Sequence, residues 1–261
     1  MSNFSWMRFL RGLAGIAVLI LLWEGFARSG KFSTALTPSF GEILRILGGM
    51  LADGTLVKNA AYTLGRVLIG LGISFATMVP LGVLMARRPL CERFVLPLVS
   101  VLAPVPSLAW VPLFVLWFGI GDLATILVVI YASAFPLLYN VWRGVSAVNP
   151  VWIQSASVMG AGRTAMFRKV IWPAALPYVL TGARLAFGRA WIGVIGGELL
   201  ASPQWGLGEI IFNAKEFLNA GDMLAALIVI GLVGLFFERF VFQLIEGATI
   251  RKWGMVSGAR P

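Results

Sequence analysis

An all-helical, polytopic membrane protein with about six transmembrane helices is the fold class this sequence predicts, and three observations predict it. The chain of 261 residues is 59% apolar and only 12% charged, about half the charged fraction of a soluble domain. Its mean hydropathy is +0.89, too high for a surface that faces water. Three segments, 67–86, 94–121 and 123–142, carry no charge at all, and a spanning helix needs about 20 mostly apolar residues. The chain reads as one transmembrane domain, 1–261, with no internal repeat, linker or low-complexity tract.

The elements follow in chain order. Arg8 and Arg11 precede the apolar run Gly12 to Trp23. A secretory signal would lead to a small-residue cleavage site and a polar mature domain. More apolar segments follow instead, so the run reads as a first membrane helix over 11–28. Next comes PSFGEILRILGGMLADG, in which Ile43, Leu44, Ile46, Leu47, Met50 and Leu51 recur at helical spacing behind Pro38 and Ser39. That pattern predicts an amphipathic helix lying on the outer membrane surface. Further spans are expected at 64–86, 94–120, 123–143, 173–200 and 223–245. The fifth is apolar apart from Arg184, Arg189 and Glu198, and the sixth apart from Glu238 and Arg239. Between them, SPQWGLGEIIFNAKEFLNAGD is short and mostly apolar, and is expected to dip back against the bundle.

The net charge of +10 fits a membrane protein whose cytoplasmic loops are rich in Lys and Arg, not a nucleic-acid binder. With the N-terminus inside, Arg8, Arg11, Arg87, Arg88, Arg93, Arg143, Arg163, Arg168 and Lys169 fall on the cytoplasmic side. Arg239, Arg251, Lys252 and Arg260 join them. Arg28, Lys31, Arg45, Lys58 and Lys215 fall outside, with Arg66 on the same side or near it. The bias is about two to one for both termini in the cytoplasm.

The third span holds Pro97, Pro104, Pro106 and Pro112. Each proline removes a backbone donor and favours a kink. Irregular backbone within a membrane is tolerated where it packs on protein or lines a cavity. Ser107, Trp110 and Trp117 are therefore candidate pathway-lining residues, with a kinked packing helix as the alternative. Arg189 and Glu198 are candidates as well, since intramembrane charges face the interior and pair. Nine residues separate them, about 13.5 Å on a helix, too far for a direct pair. Each seeks another partner or lies nearer a membrane face. In the same span Gly193 and Gly197 form a G-x-x-x-G pair that allows close helix packing.

Several chemistries lack their residues. There is no histidine, the commonest general base and metal ligand. Cys91 is the single cysteine, so no internal disulfide is possible. GFARSGKF, residues 25–32, matches G-x-x-x-x-G-K, but Phe32 stands where a phosphate-binding loop needs Ser or Thr. The segment also follows a membrane helix, not a strand. The chain is not expected to be an enzyme, and no catalytic, cofactor or metal site is expected in it.

One stretch interrupts the apolar pattern, QSASVMGAGRTAMFRKVIWP, residues 154–173. Asn149-Pro150 suits a helix start, with Asn as cap and Pro in the first turn. Val151, Trp152, Ser155, Val158 and Met159 fit one short helix, the GAG at 160–162 breaks it, and Thr164 to Ile171 fits a second. The cytoplasmic loop 147–172 is thus expected to be a helix–turn–helix lying flat, with Arg163, Arg168 and Lys169 towards water or headgroups.

This loop resembles the cytoplasmic coupling loop of type I ABC-importer permeases. That family's pattern is E-A-A, three residues, G, nine residues, I-x-L-P. Here Gln154-Ser155-Ala156 stands for E-A-A, Gly160 for the glycine and Val170-Ile171-Trp172-Pro173 for I-x-L-P. Gln154 for Glu, Ser155 for Ala, Trp172 for Leu and Val170 for Ile are the departures. Gln154 keeps hydrogen bonding without charge, which puts in question a charged contact from this position. PVPSLAWVPLFVLWFGIGD, AALPYVLTGARLAFGRAWIGVIGGEL and GLGEIIFNAKEFLNAGDMLAALIVIGLVG are similar to the branch importing sulfonates, taurine, nitrate and bicarbonate.

The resemblance implies a multi-pass permease of the bacterial cytoplasmic (inner) membrane. Two permeases, a homodimer here, would form the pathway at their interface. Two cytoplasmic ABC ATPase subunits would bind ATP and Mg, and the coupling helix within 149–163 would sit in a groove of the ATPase. Gln154, Ser155, Ala156, Met159, Gly160 and Arg163 are the coupling candidates it implies. A periplasmic or lipid-anchored solute-binding protein would deliver substrate to the outer face. Arg189 and the branch favour a small organic anion, a sulfonate such as taurine. Nitrate, bicarbonate, an aromatic carboxylate or a vitamin precursor are the alternatives. A stand-alone channel or secondary carrier is the reading from another class. A carrier often shows internal repeats and has no need of a docking loop.

Overall fold

The computed structural model describes residues 3–29, 33, 35–201 and 203–247, and every regular element among them is helical. Lys31, Arg251, Lys252 and Arg260 lie outside the described residues, as do Gly30 and Phe32 of the G-x-x-x-x-G-K segment.

Helix α1 spans Asn3–Ala27 and α2 spans Phe40–Ala52. Ser39 caps α2, its hydroxyl accepting the Glu42 N–H at 3.2 Å. Two bonds pin the start of α2 to α1. Glu24 Oε2 accepts the Phe40 N–H at 2.9 Å, and Trp23 Nε1 donates to the Pro38 carbonyl at 3.1 Å. Ile43 is buried while Leu44 and Leu51 are exposed. This is the short amphipathic helix that the spacing predicts.

The bundle is organised around three long helices, α3 (Thr55–Arg87), α6 (Asp122–Ser146) and α9 (Trp172–Ala201). Helix α6 lies between the other two. Lipid gives no hydrophobic drive to join helices, so close packing does the work, and small residues permit it. A Cβ on Gly82 of α3 would meet Val141 Cγ1 at 2.8 Å, and one on Gly197 of α9 would meet Thr125 Cγ2 at 3.1 Å. Val67, Val129, Leu137, Val141, Ala186, Ala190 and Val194 fill the contact. Ser74 and Ser133 add a hydroxyl pair at 2.7 Å between α3 and α6.

The expected single span at 94–120 is not one helix. It is α4 (Pro89–Leu102), a 3-10 turn at Ser107–Trp110 and α5 (Val111–Phe118), bent by 87°. The prolines decide where it breaks. Pro97 is absorbed inside α4, Pro112 occupies the first turn of α5, and Pro104 and Pro106 leave no donors to carry the helix across. Among the described residues, four helical segments are long and apolar enough to cross a membrane, Thr55–Arg87, Asp122–Ser146, Arg163–Ala201 and Ala220–Ile245, and the bent pair makes a fifth crossing if taken as one span. The first expected span, 11–28, falls on α1, whose apolar part among the described residues is Ala17–Ala27.

On the side of α6's last turn, α7 (Pro150–Val158) is followed by α8 (Arg163–Met166), which runs through a π turn, Phe167–Ile171, straight into α9. The expected second loop helix is therefore the beginning of the fifth span. At the other end, α10 (Leu207–Glu216) folds back against α9 and α11 (Ala220–Phe236), as the loop's composition suggested. A π turn, Phe237–Val241, and α12 (Phe242–Glu246) complete the last span.

The charges set the depth of the bundle in a membrane. Twenty-one residues separate Arg66 from Arg87 on α3, and the same number separates Asp122 from Arg143 on α6. Each interval is about 31 Å at 1.5 Å per residue, close to the roughly 30 Å of a hydrocarbon core. Arg66 and Asp122 are bonded to each other, so the two helices mark one boundary together and the other with arginine.

Candidate functional site

The break after α4 shapes a cavity of about 360 Å³. Residues 103–107 form one wall, Tyr131, Phe135 and Pro136 of α6 a second, and Arg189 and Ile192 of α9 a third. The Tyr131 hydroxyl donates to the Leu102 carbonyl at 2.6 Å, which holds its ring against the wall. Phe135 packs edge-on to that ring with centroids 5.0 Å apart.

Arg189 is the charge in this cavity. It sits nine residues, about 13.5 Å, along α9 from Glu198, and Glu198 is bonded to Arg66 at one boundary. That places Arg189 near the middle of the membrane. It is exposed, and among the described residues it has no hydrogen bond or ion pair. Thr181, Leu185, Gly188 and Ile192 are exposed beside it on one stripe of α9. A guanidinium facing lipid at mid-depth costs at least about 2.5 kcal/mol, so this stripe belongs against water or protein. Chemically the cavity offers one cation, the Ser107 hydroxyl and an apolar, aromatic wall. That set suits a small anion with an apolar body.

The structure brings Ser107 and Arg189 together and separates the other pathway candidates from them. Trp110 is half-buried behind the cavity wall, against Phe114 at 6.0 Å and Tyr131 at 5.4 Å. Its indole N–H is buried without a partner among the described residues. Trp117 is 59% exposed on α5, away from the cavity. Glu198 is wholly buried and bonded to Arg66, away from this cavity.

Glu198 anchors a network at the boundary. Its Oε1 accepts from Arg66 Nη1 at 2.5 Å and from the Thr63 hydroxyl at 2.9 Å, and its Oε2 accepts the Gly208 N–H at 2.8 Å. Asn59 Oδ1 accepts the Gly206 N–H at 2.6 Å, and the Thr63 hydroxyl oxygen accepts the Leu207 N–H at 2.9 Å. The free N–H groups that begin α10 are thus satisfied by α3 and α9. Gly206, at φ +156°, lets the chain pass, because a Cβ there would lie 2.5 Å from the Glu198 carboxyl carbon. Sequence reading missed Asn59, Thr63 and Asp122 and left Arg66 undecided. The signal was present: Asn59, Thr63, Arg66, Gly70 and Ser74 recur at three-to-four spacing, a polar and small stripe along α3. Beyond the network, burial pushes the Glu209 carboxyl on α10 above the usual carboxylate range, against the pull of an Asn213 amide bond.

At the opposite end, the Asn149 side chain caps α7 by accepting the Val151 N–H at 2.9 Å. The helix closes on Gly160, at φ +79°, with the Met159 N–H on the Ser155 carbonyl at 3.1 Å and the Ala161 N–H on Ala156 at 3.0 Å. A Cβ on Gly160 would meet nothing within 4 Å, so its backbone angle, not crowding, calls for glycine. Gln154, Ser155, Met159, Gly160 and Arg163 are exposed. Ala156 is half-buried and packs with Ile153 and Ala161 on Val145, Val148, Met166 and Ile171. It holds the helix down and does not present a surface. Val158 is 90% exposed and Met159 86%, an apolar tip pointing away from the bundle.

Comparisons with known proteins show the family and the fold. Residues 78–248 match the family described as binding-protein-dependent transport system inner membrane component. The taurine transport system permease protein TauC of Escherichia coli (strain K12) is 33% identical over 228 residues, 85% of this chain and 82% of that one. The bicarbonate transport system permease protein CmpB of Synechococcus elongatus is 31% identical over 240 residues, 89% of this chain and 86% of that one. In fold, the chain is similar to one in an inward-facing structure of the MetNI methionine ABC transporter. There the TM-score is 0.64 at 23% identity, covering 76% of this chain and 97% of that one. The chain belongs to the family of binding-protein-dependent transport system inner membrane components, as the non-catalytic permease subunit of an ABC importer.

Proposed function

We propose that this permease carries a small organic anion, a sulfonate such as taurine first, across the inner membrane, and that Arg189 is its contact at mid-depth. The observation that carries this is a guanidinium near the membrane centre with no partner among the described residues, in a cavity walled by a broken helix. Two relatives support it, since taurine and bicarbonate each bear an anionic group. Two copies of the chain form the pathway, with the α9 stripe of each facing the other. Both termini are cytoplasmic, and α7 with its exposed tip docks on an ATPase subunit that binds ATP and Mg. A solute-binding protein delivers substrate at the face carrying α10. The coupling contacts are Gln154, Ser155, Met159, Gly160 and Arg163, with Ala156 seating the helix.

The test is uptake into proteoliposomes holding the intact transporter and its binding protein, with a panel of sulfonates, carboxylates, nitrate, bicarbonate and neutral or cationic solutes. Organic sulfonates are expected to be taken up and to compete with one another. Uptake confined to solutes that carry no anionic group overturns the assignment. Purification of the chain without any ATPase would instead favour a stand-alone channel or carrier.

A further inference from the structure

The boundary network holds two carboxylates, Asp122 and Glu198, against one guanidinium, Arg66. Glu198 is wholly buried and Arg66 is 4% exposed, so Asp122, whose side chain is 61% exposed, is the member of the network that a ligand can reach. Both bonds that Arg66 makes to Asp122, at 2.9 and 2.6 Å, go to Oδ1. Oδ2 receives none among the described residues. Asp122 stands at the head of a groove of about 350 Å³ between α3 and α6, floored by Gly65, Ile69 and Ile126 and flanked by Tyr62. That volume is within the range of ligand sites. A Cβ on Gly65 would meet nothing within 4 Å, so the groove is open where glycine leaves it so.

Its place in the bilayer narrows what fits. The Arg66–Asp122 level lies about 31 Å from Arg87 and Arg143, at the edge of the hydrocarbon core. Tyr62, 45% exposed, has the amphipathic ring that settles at headgroup depth. Below it the groove is apolar and runs towards the membrane centre. A carboxylate with a free oxygen at headgroup depth, above an apolar channel, is complementary to a lipid whose headgroup bears a primary ammonium.

We propose that this groove is a binding site for an aminophospholipid such as phosphatidylethanolamine. Its ammonium donates to Asp122 Oδ2, and one acyl chain lies along Gly65, Ile69 and Ile126. A quaternary ammonium has no N–H to donate, so phosphatidylcholine of the same chains fits the groove without the bond.

The test uses the intact transporter in nanodiscs of phosphatidylethanolamine and phosphatidylcholine with matched chains, and native mass spectrometry of the lipids it retains. The wild type is expected to retain the ethanolamine lipid with about tenfold preference, the worth of one charge-assisted hydrogen bond. Asp122→Asn brings that preference to near parity. Gly65→Leu, which has room in the fold, loses both lipids while leaving Asp122 on Arg66. Equal retention of the two lipids by the wild type overturns the site, as does a Gly65→Leu variant that keeps the wild-type preference. Disulfide formation between chains bearing Ile69→Cys in a Cys91→Ser background places a second copy over the groove and overturns it as well.

Discussion

Arg66 Nη1 lies 2.5 Å from Glu198 Oε1, across 132 positions of sequence, and this contact ties the first half of α3 to the end of α9. Both groups are buried, and each holds further partners, Asp122 for the arginine and Thr63 and the Gly208 N–H for the glutamate. Removing one member strands the other. Arg66→Ala is expected to destabilise the fold by about 3–5 kcal/mol, read as a lowered thermal midpoint of the purified transporter. Replacing both groups with methionine is expected to be milder than Arg66→Ala alone. Equal losses in the single and double variants would mean that the pair is not coupled.

Arg189 should govern substrate affinity, not folding. Arg189→Gln is expected to raise the half-saturation concentration for anionic substrate about tenfold to a hundredfold, the range for a hydrogen bond to a charged group. Its thermal midpoint should stay near wild type, because the side chain has no partner among the described residues to abandon. Arg189→Lys should recover part of the affinity. Uptake kinetics and a melt on the same preparation check this, and a folding defect without a kinetic one would count against it.

Gly160 closes α7 at a left-handed angle, which costs an L residue roughly 1–2 kcal/mol. Gly160→Val is expected to change the shape of the coupling loop and to separate ATP hydrolysis from uptake, while membrane insertion stays normal. Gly162→Ala, at φ −67°, is the matched control and should behave as wild type. The measurement is the ratio of ATP hydrolysed to solute imported.

Gly82 sets the distance between α3 and α6. A Cβ there would meet Val141 at 2.8 Å and the Trp142 nitrogen at 3.1 Å. Gly82→Leu is expected to cost about 1–3 kcal/mol through overpacking. Gly72→Leu, where a Cβ meets nothing within 4 Å, should be near neutral. Paired thermal melts decide between them.

Much of the architecture is legible in the chain. Uncharged segments of twenty residues and more place the spans, because lipid admits little else. Pro104 and Pro106 mark where one span breaks, because a backbone without donors cannot continue a helix. Asn149, Pro150 and Gly160 bound the loop helix by local geometry alone. The spacing from Gln154 to Pro173 carries the family.

Tertiary structure alone decided which polar residues meet. Arg189 and Glu198 look alike in sequence, two charges in one apolar run. Among the described residues, the fold leaves one without a partner beside Ser107 in a cavity and buries the other on Arg66. It also sets Trp110 behind Tyr131 and turns Trp117 outward, although all three candidates share one proline-rich stretch. The 87° bend after α4 and the packing of α6 between α3 and α9 make these choices. Sequence spacing fixes a residue's place on its own helix, but a charge takes its role from whatever a distant helix brings within about 3 Å of it.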